Sequence, residues 1–182
     1  SSRFTFEKGG EANPLFSRDS RRVVFERREE GKPGRIVERA LDRTGEESVL
    51  FEAPGRSLPS AITPDGKSLI IQRQPPEQPI QTWTLPIGHP DQAKAILASE
   101  FYNGRPALSP DGRWLAFESN ESGAAEIYVI GIAGASGRWQ VSTRGGEDPA
   151  WGPDGKELFY LSPENKMMRV AVTTGASFEA DV

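Results

Sequence analysis

The chain has no cysteine, one histidine and two methionines in 182 residues. Without cysteine there can be no disulfide, thiol nucleophile or thiolate zinc site. That usage fits the cytoplasm, but a periplasmic or extracytoplasmic setting, where stray thiols are avoided, is the expectation. The lone histidine, His89, lies between Gly88 and Pro90, two residues before Asp91. One histidine cannot build a histidine-rich metal centre. His89 could pair with Asp91 as a base, but in a proline-flanked loop it reads as an exposed loop residue, and without it no Ser-His-Asp site can be assembled. No apolar run approaches the roughly 18 residues of a membrane helix, and the first residues lack the pattern of a secretory leader. Ser1 to Phe6 read instead as strand, as expected of a segment from a longer polypeptide.

A basic excess is also missing. Lys and Arg number 22 against 26 Asp and Glu, a formal net charge of −4, which argues against a nucleic-acid partner. The one basic-leaning stretch, Arg18 to Arg43, interleaves nine cations with six carboxylates and is expected to be a solvated hairpin. What the chain does have is punctuation. Its 19 glycines and 15 prolines cluster at intervals, a pattern of short strands and tight turns.

Those intervals are a repeat. Pro14 to Ser20 (PLFSRDS), Ser60 to Gly66 (SAITPDG), Pro106 to Gly112 (PALSPDG) and Pro149 to Gly155 (PAWGPDG) align, and their aspartates Asp19, Asp65, Asp111 and Asp154 are 46, 46 and 43 residues apart. A period in the forties with several strands per unit is a propeller-blade signature. Each copy has a short strand A before the turn and a strand B after it: Val23 to Phe25, Leu69 to Ile71, Leu115 to Phe117, Leu158 to Tyr160. Continuous apolar runs of this kind are expected to be covered on both faces. Strands C (36–41, 80–85, 126–130, 167–172) and D (49–52, 95–97, 139–142) complete the copies. The expected fold is all-β, a β-propeller of about four four-stranded blades and a fragment of a larger one. A single domain over 1–182 would hold blades at 11–53, 58–98, 105–143 and 148–182. Residues 3–8 would be the outer strand of a preceding or closing blade, with Phe4 to Glu7 as its core. The fourth outer strand is expected within Ser177 to Val182, unless Phe4 to Glu7 closes a four-bladed ring.

The turn has a physical logic. Proline presets φ, the aspartate bonds nearby N–H groups, and glycine supplies the positive φ. Asp19, Asp65, Gly66, Asp111, Gly112, Asp154 and Gly155 are therefore read as structural turn residues, not calcium ligands. The first copy departs from the pattern, with Arg18 for Pro and Ser20 for Gly. The aromatics Phe16, Phe25, Trp83, Phe117, Trp139, Trp151, Phe159 and Tyr160 fall at strand positions and are expected to pack between blades.

These turns with their flanking strands resemble the PD40, or TolB-like, propeller repeats. The stretch 113–160 is similar to the sensory propellers of some bacterial serine/threonine kinases and regulators. The resemblance implies a non-catalytic, cofactor-free binding or sensory module of a larger bacterial protein, its partner a protein or small extracellular ligand. It also implies a second reading, an accessory propeller gating substrate for a serine peptidase-type hydrolase. No kinase glycine loop or hydrolase nucleophile elbow is present. In such propellers the D–A and B–C loops share the rim where ligands bind. The candidate ligand-binding residues are accordingly Tyr102, Asn103, Arg105, Asn120, Glu147 and Asp148, with no catalytic or metal-ligating residue. Exposed faces on end blades make self-association a further expectation, without membrane insertion of this segment.

Overall fold

A computed structural model describes residues 3–6, 9–132, 134 and 136–181. These residues form four antiparallel four-stranded sheets, each a meander in chain order. The first contains β1 (Gly10–Phe16), β2 (Arg22–Arg28), β3 (Gly34–Ala40) and β4 (Ser48–Ala53). The second contains β5 (Arg56–Ile62), β6 (Ser68–Gln74), β7 (Gln81–Pro86) and β8 (Lys94–Leu97). β9 (Asn103–Leu108), β10 (Trp114–Ser119), β11 (Glu126–Gly131) and β12 (Arg138–Gln140) make the third. β13 (Glu147–Trp151), β14 (Glu157–Leu161), β15 (Met167–Thr174) and β16 (Phe178–Ala180) make the fourth. These are the all-β, four-stranded antiparallel sheets that the repeat implied, consistent with a fragment of a propeller. Two compact units are distinguishable, residues 1–78 with 83–96, and residues 79–82 with 97–182.

Each unit has its own core between two sheets. In the first, Val24, Ile36, Leu50 and Phe51 pack with Ile62, Leu69, Ile71 and Leu85. In the second, Trp114, Ala116, Ile127 and Val129 pack with Leu158, Tyr160, Val170, Val172 and Phe178. Trp114 is fully buried and meets Trp139 edge-on at 5.5 Å and Phe178 at 5.7 Å, contacts that add to the area burial of the rings.

The double-sided cover expected of every strand B is seen on β10, buried at all six positions, but not on β14. There Leu158 and Tyr160 are buried while Phe159 is only half-buried, and Met167 beyond it is 68 % exposed. One of the aromatics expected to be packed differs as well, since Phe16 is exposed. Trp83, Trp139 and Trp151 are half-buried and pack against the cores, Trp151 Nε1 donating to the Ala107 carbonyl at 3.0 Å.

Residues 3–6 do not form the expected strand; Glu7 and Lys8 lie outside the described residues. It is the Phe4 side chain, not the backbone, that finds a partner. It packs on Val23, Phe25 and Val37, with the guanidinium groups of Arg39 and Arg43 over its ring at 5.6 and 5.8 Å. β16, at Phe178–Ala180, pairs with β15, so the fourth outer strand falls within the expected segment, of which Val182 is outside the described residues. Nor is Arg18 to Arg43 a wholly solvated hairpin. Glu26 is fully buried and Arg27 is 3 % exposed. Their charges are tolerated because they are paired: Arg56 grips Glu26 through Nε at 2.8 Å and Nη2 at 3.1 Å, and Arg27 meets Glu47 at 2.8 Å and Glu11 at 3.5 Å.

The four turns share one hydrogen-bond scheme. Asp65 Oδ1 accepts from the Thr63 hydroxyl at 2.6 Å and from the Lys67 N–H at 3.0 Å, while Gly66 N–H closes the turn onto the Thr63 carbonyl at 2.8 Å. Asp19 and Asp111 do the same with Ser17 and Arg21, and with Ser109 and Arg113. Gly152 replaces the hydroxyl residue in the fourth turn, where Asp154 accepts from Lys156 N–H. Gly66, Gly112 and Gly155 all have positive φ, and Ser20 is held at φ 55° in the same position. Arg18, the other departure, is put to use. Its Nη2 and Nε donate to the carbonyls of Ile62 and Thr63 in the next repeat at 3.0 and 3.3 Å.

Two outcomes are expected. Ser20→Gly should raise stability in urea denaturation by about 1 kcal/mol or less, since it removes a side chain from the left-handed region. The second concerns acid. The Ser17 and Thr63 hydroxyl hydrogen bonds, then the Arg21 and Lys67 N–H groups, hold Asp19 and Asp65 below the ordinary aspartate value of 3.8. A carboxylate whose folded-state pKa is depressed contributes stability above its unfolded pKa and loses it as pH falls through the folded one. Asp65→Asn should therefore lower the melting temperature at pH 7, and the deficit relative to the parent should shrink below pH 3.8.

Candidate functional site

Strand A departs from regularity at the same place in every sheet. The pairing with strand B slips between Ala12 and Leu15, Pro59 and Ala61, Ala116 and Glu118 on the partner side, and Glu147 and Ala150. In three copies the residue six positions before the turn aspartate has left-handed φ: Asn13 at 52°, Arg105 at 50° and Asp148 at 52°. The second copy has Pro59 there, whose ring forbids that conformation. Holding a non-glycine residue at positive φ costs free energy, and such strain collects where a side chain must be aimed.

The bulge also moves the expected loop residues into strands. Asn103 and Arg105 belong to β9, Glu147 and Asp148 to β13, because strand A resumes pairing beyond the irregularity instead of ending at it. Only Tyr102 and Asn120 remain outside strands. In the second unit the two left-handed residues meet. Arg105 Nη1 is 2.9 Å from Glu147 Oε2, 3.2 Å from Asp148 Oδ2 and 3.2 Å from Glu118 Oε2. One guanidinium thus faces three carboxylates. Burial alone would lower the Arg105 pKa, but the Glu147 hydrogen bond and the charges of Glu118 and Asp148 hold it above its ordinary value.

Glu118 is the member that sequence reasoning missed. It is 7 % exposed and follows the apolar run of β10. A carboxylate directly after Leu115-Ala-Phe117 was the available signal, and Glu26 after Val23-Val-Phe25 is its counterpart. Burial raises the Glu118 carboxyl above the ordinary glutamate value; Arg105 works against this, and Glu147 and Asp148 reinforce it.

The remaining candidates are less available. Asn120 Oδ1 accepts from the Tyr102 N–H at 3.0 Å, tying the β10–β11 turn to the entry of β9. Asn103 is 2 % exposed, and its amide donates to Ser99 Oγ at 2.8 Å and the Phe101 carbonyl at 3.0 Å, so its side chain is spent on the loop. Exposed Arg105, Glu147 and Asp148 are what the site presents to solvent. His89 is exposed ahead of the short 3-10 turn at Pro90–Gln92, remote in sequence from these residues.

Glu118→Gln provides a test of the cluster. A raised carboxyl costs stability while ionised, and the cost is relieved as pH falls through the folded pKa toward the unfolded value of 4.5. The parent should gain melting temperature relative to Glu118→Gln between pH 7 and pH 4.5, and parallel profiles would show that Glu118 is not buried against its neighbours' charges.

Known structures are similar in fold. TolB from Acinetobacter baumannii superposes with a TM-score of 0.71 at 17 % identity, over 94 % of this chain and 43 % of that one. A putative TolB from Agrobacterium tumefaciens gives 0.72 at 19 %, over 92 % and 63 %. A puromycin-hydrolyzing peptidase from Mycobacterium tuberculosis gives 0.68 at 16 %, over 95 % and 29 %. The chain thus spans less than two thirds of each, and likeness at such identity is likeness of fold. No helix among the described residues is long and apolar enough to cross a membrane. The TolB beta propeller domain (PD40) profile matches residues 11–180, and with its four turn-pinned sheets the chain belongs to that family.

Proposed function

We propose that this chain is a non-catalytic binding module whose second unit docks a protein partner through the Arg105–Glu118–Glu147–Asp148 cluster. The observation that carries the reading is the concentration of three carboxylates on one guanidinium at two strained strand-A residues. Such an arrangement is net acidic and pre-positioned. A partner supplying a Lys or Arg side chain would complete its charge balance, with Tyr102 and Asn120 beside it for polar contact. Membership of the TolB family supports an interaction role, and the sequence supplies no nucleophile–base pair built on histidine or cysteine. The second reading, a substrate-gating propeller beside a serine-peptidase domain, draws on the fold shared with the peptidase described above. A Gly-x-Ser-x-Gly segment elsewhere in the same polypeptide would decide for it.

Peptides selected from a random library on the parent chain provide the test. They are expected to be enriched in Lys and Arg, and their affinity should drop by at least about tenfold for the double variant Glu147→Lys, Asp148→Lys. Selected peptides that bind the double variant as well as the parent would remove the cluster from the interface.

A further inference from the structure

In the first three repeats the positions eight before and eight after the turn aspartate face each other across strands A and B. In the first repeat these are Glu11 and Arg27, in the second Ser57 and Arg73, in the third Asn103 and Ser119. The first pair is an ion pair, reinforced by Glu47, and the third is neutral. The second repeat keeps the arginine and has lost the acid.

Among the described residues Arg73 is a buried cation without a carboxylate. It is 8 % exposed, and its side chain donates through Nη2 to the Pro54 carbonyl at 2.9 Å. The rings of Phe51 and Trp83 lie 5.3 and 5.1 Å from its guanidinium carbon, a favourable but partial substitute for a counter-charge. Arg73 Nε and the fully buried Ser57 Oγ both lack a hydrogen-bond partner among the described residues. Leaving such donors unmet in a low-dielectric setting is costly. Desolvation lowers the Arg73 pKa, with no neighbouring acid to oppose it.

We infer that Arg73 and Ser57 form a receptor for an external carboxylate, which takes the place that Glu11 fills in the first repeat. The same unit shows the mode of engagement. Arg56 holds Glu26 side-on through Nε and Nη2, and on Arg73 it is Nε that is open while Nη2 is anchored. A carboxylate oxygen accepting from Nε would bring the missing charge while Nη2 stays on the Pro54 carbonyl. In the first repeat the acids that serve Arg27 are 27 % and 17 % exposed, and the external carboxylate would enter from the same side. The carboxylate comes either from a free small acid or from an acidic side chain of a partner, and this assignment is independent of the cluster around Arg105.

The experiment uses the whole chain with two probes, sodium acetate against sodium chloride at equal ionic strength, and a blocked Ala-Glu-Ala tripeptide against Ala-Gln-Ala. The parent should show a saturable rise in melting temperature with acetate, with the glutamate peptide, or with both. Response to acetate identifies a free acid as sufficient, and response to the peptide alone identifies a partner side chain. Arg73→Met, which keeps the stem for packing, should weaken the response by at least about tenfold. Ser57→Asp, which brings an acid in cis, should abolish the response and raise the melting temperature without ligand. The inference is overturned if the parent responds to neither probe, or if Arg73→Met responds like the parent.

Discussion

A middle strand that is apolar on both sides cannot be left in water, and this constraint organises each unit. Val24 on β2 and Leu69 and Ile71 on β6 meet in one core, Trp114 and Ala116 on β10 and Leu158 and Tyr160 on β14 in the other. Burying these side chains supplies most of the driving force available to sheets whose strands do not pair with those of another sheet. The turns then fix the register on which that packing depends, because a slip of one residue would exchange the buried and exposed faces of a strand. The aspartate scheme, with its hydroxyl and N–H donors, is what holds each turn in place.

The architecture was legible because it is written four times. Spacing of the Pro-Asp-Gly corners gave the repeat, and the apolar runs gave the strands. What single-sequence reasoning could not give was the behaviour of strand A. Proline at 14, 106 and 149 marked a boundary, yet the strand continues across it through a bulge, so Arg105 and Asp148 are strand residues where loops were expected. Charged residues were the second difficulty. Glu26 and Arg27 fell in a stretch read as solvated and Glu118 was not singled out, and their burial becomes intelligible only when their partners, distant in sequence, are known. Phe4 was misread for a related reason: a strand-like pattern does not say whether backbone or side chain will find a partner.

Both candidate binding positions follow from the same feature of the repeat. The bulge aims the side chains at the start of strand A toward the end of strand B, so the residues there must satisfy one another or a ligand. Around Arg105 there is an excess of acid, and at Arg73 an excess of base. The scaffold residues of the two repeats are interchangeable in kind, whereas these positions are not. Charge differs at the strand ends while the corners and cores stay alike.

Arg18 stretches over Gly66 of the following repeat, with its Cγ 3.7 Å from where a Cβ on that glycine would stand, and Pro110 lies 3.6 Å from the corresponding point on Gly155. Within each unit the two corners are therefore in physical register, the later one resting on the earlier. A substitution at one glycine would be felt in the repeat before it, and damage to a single corner would lower the cooperativity of a whole unit instead of fraying one hairpin.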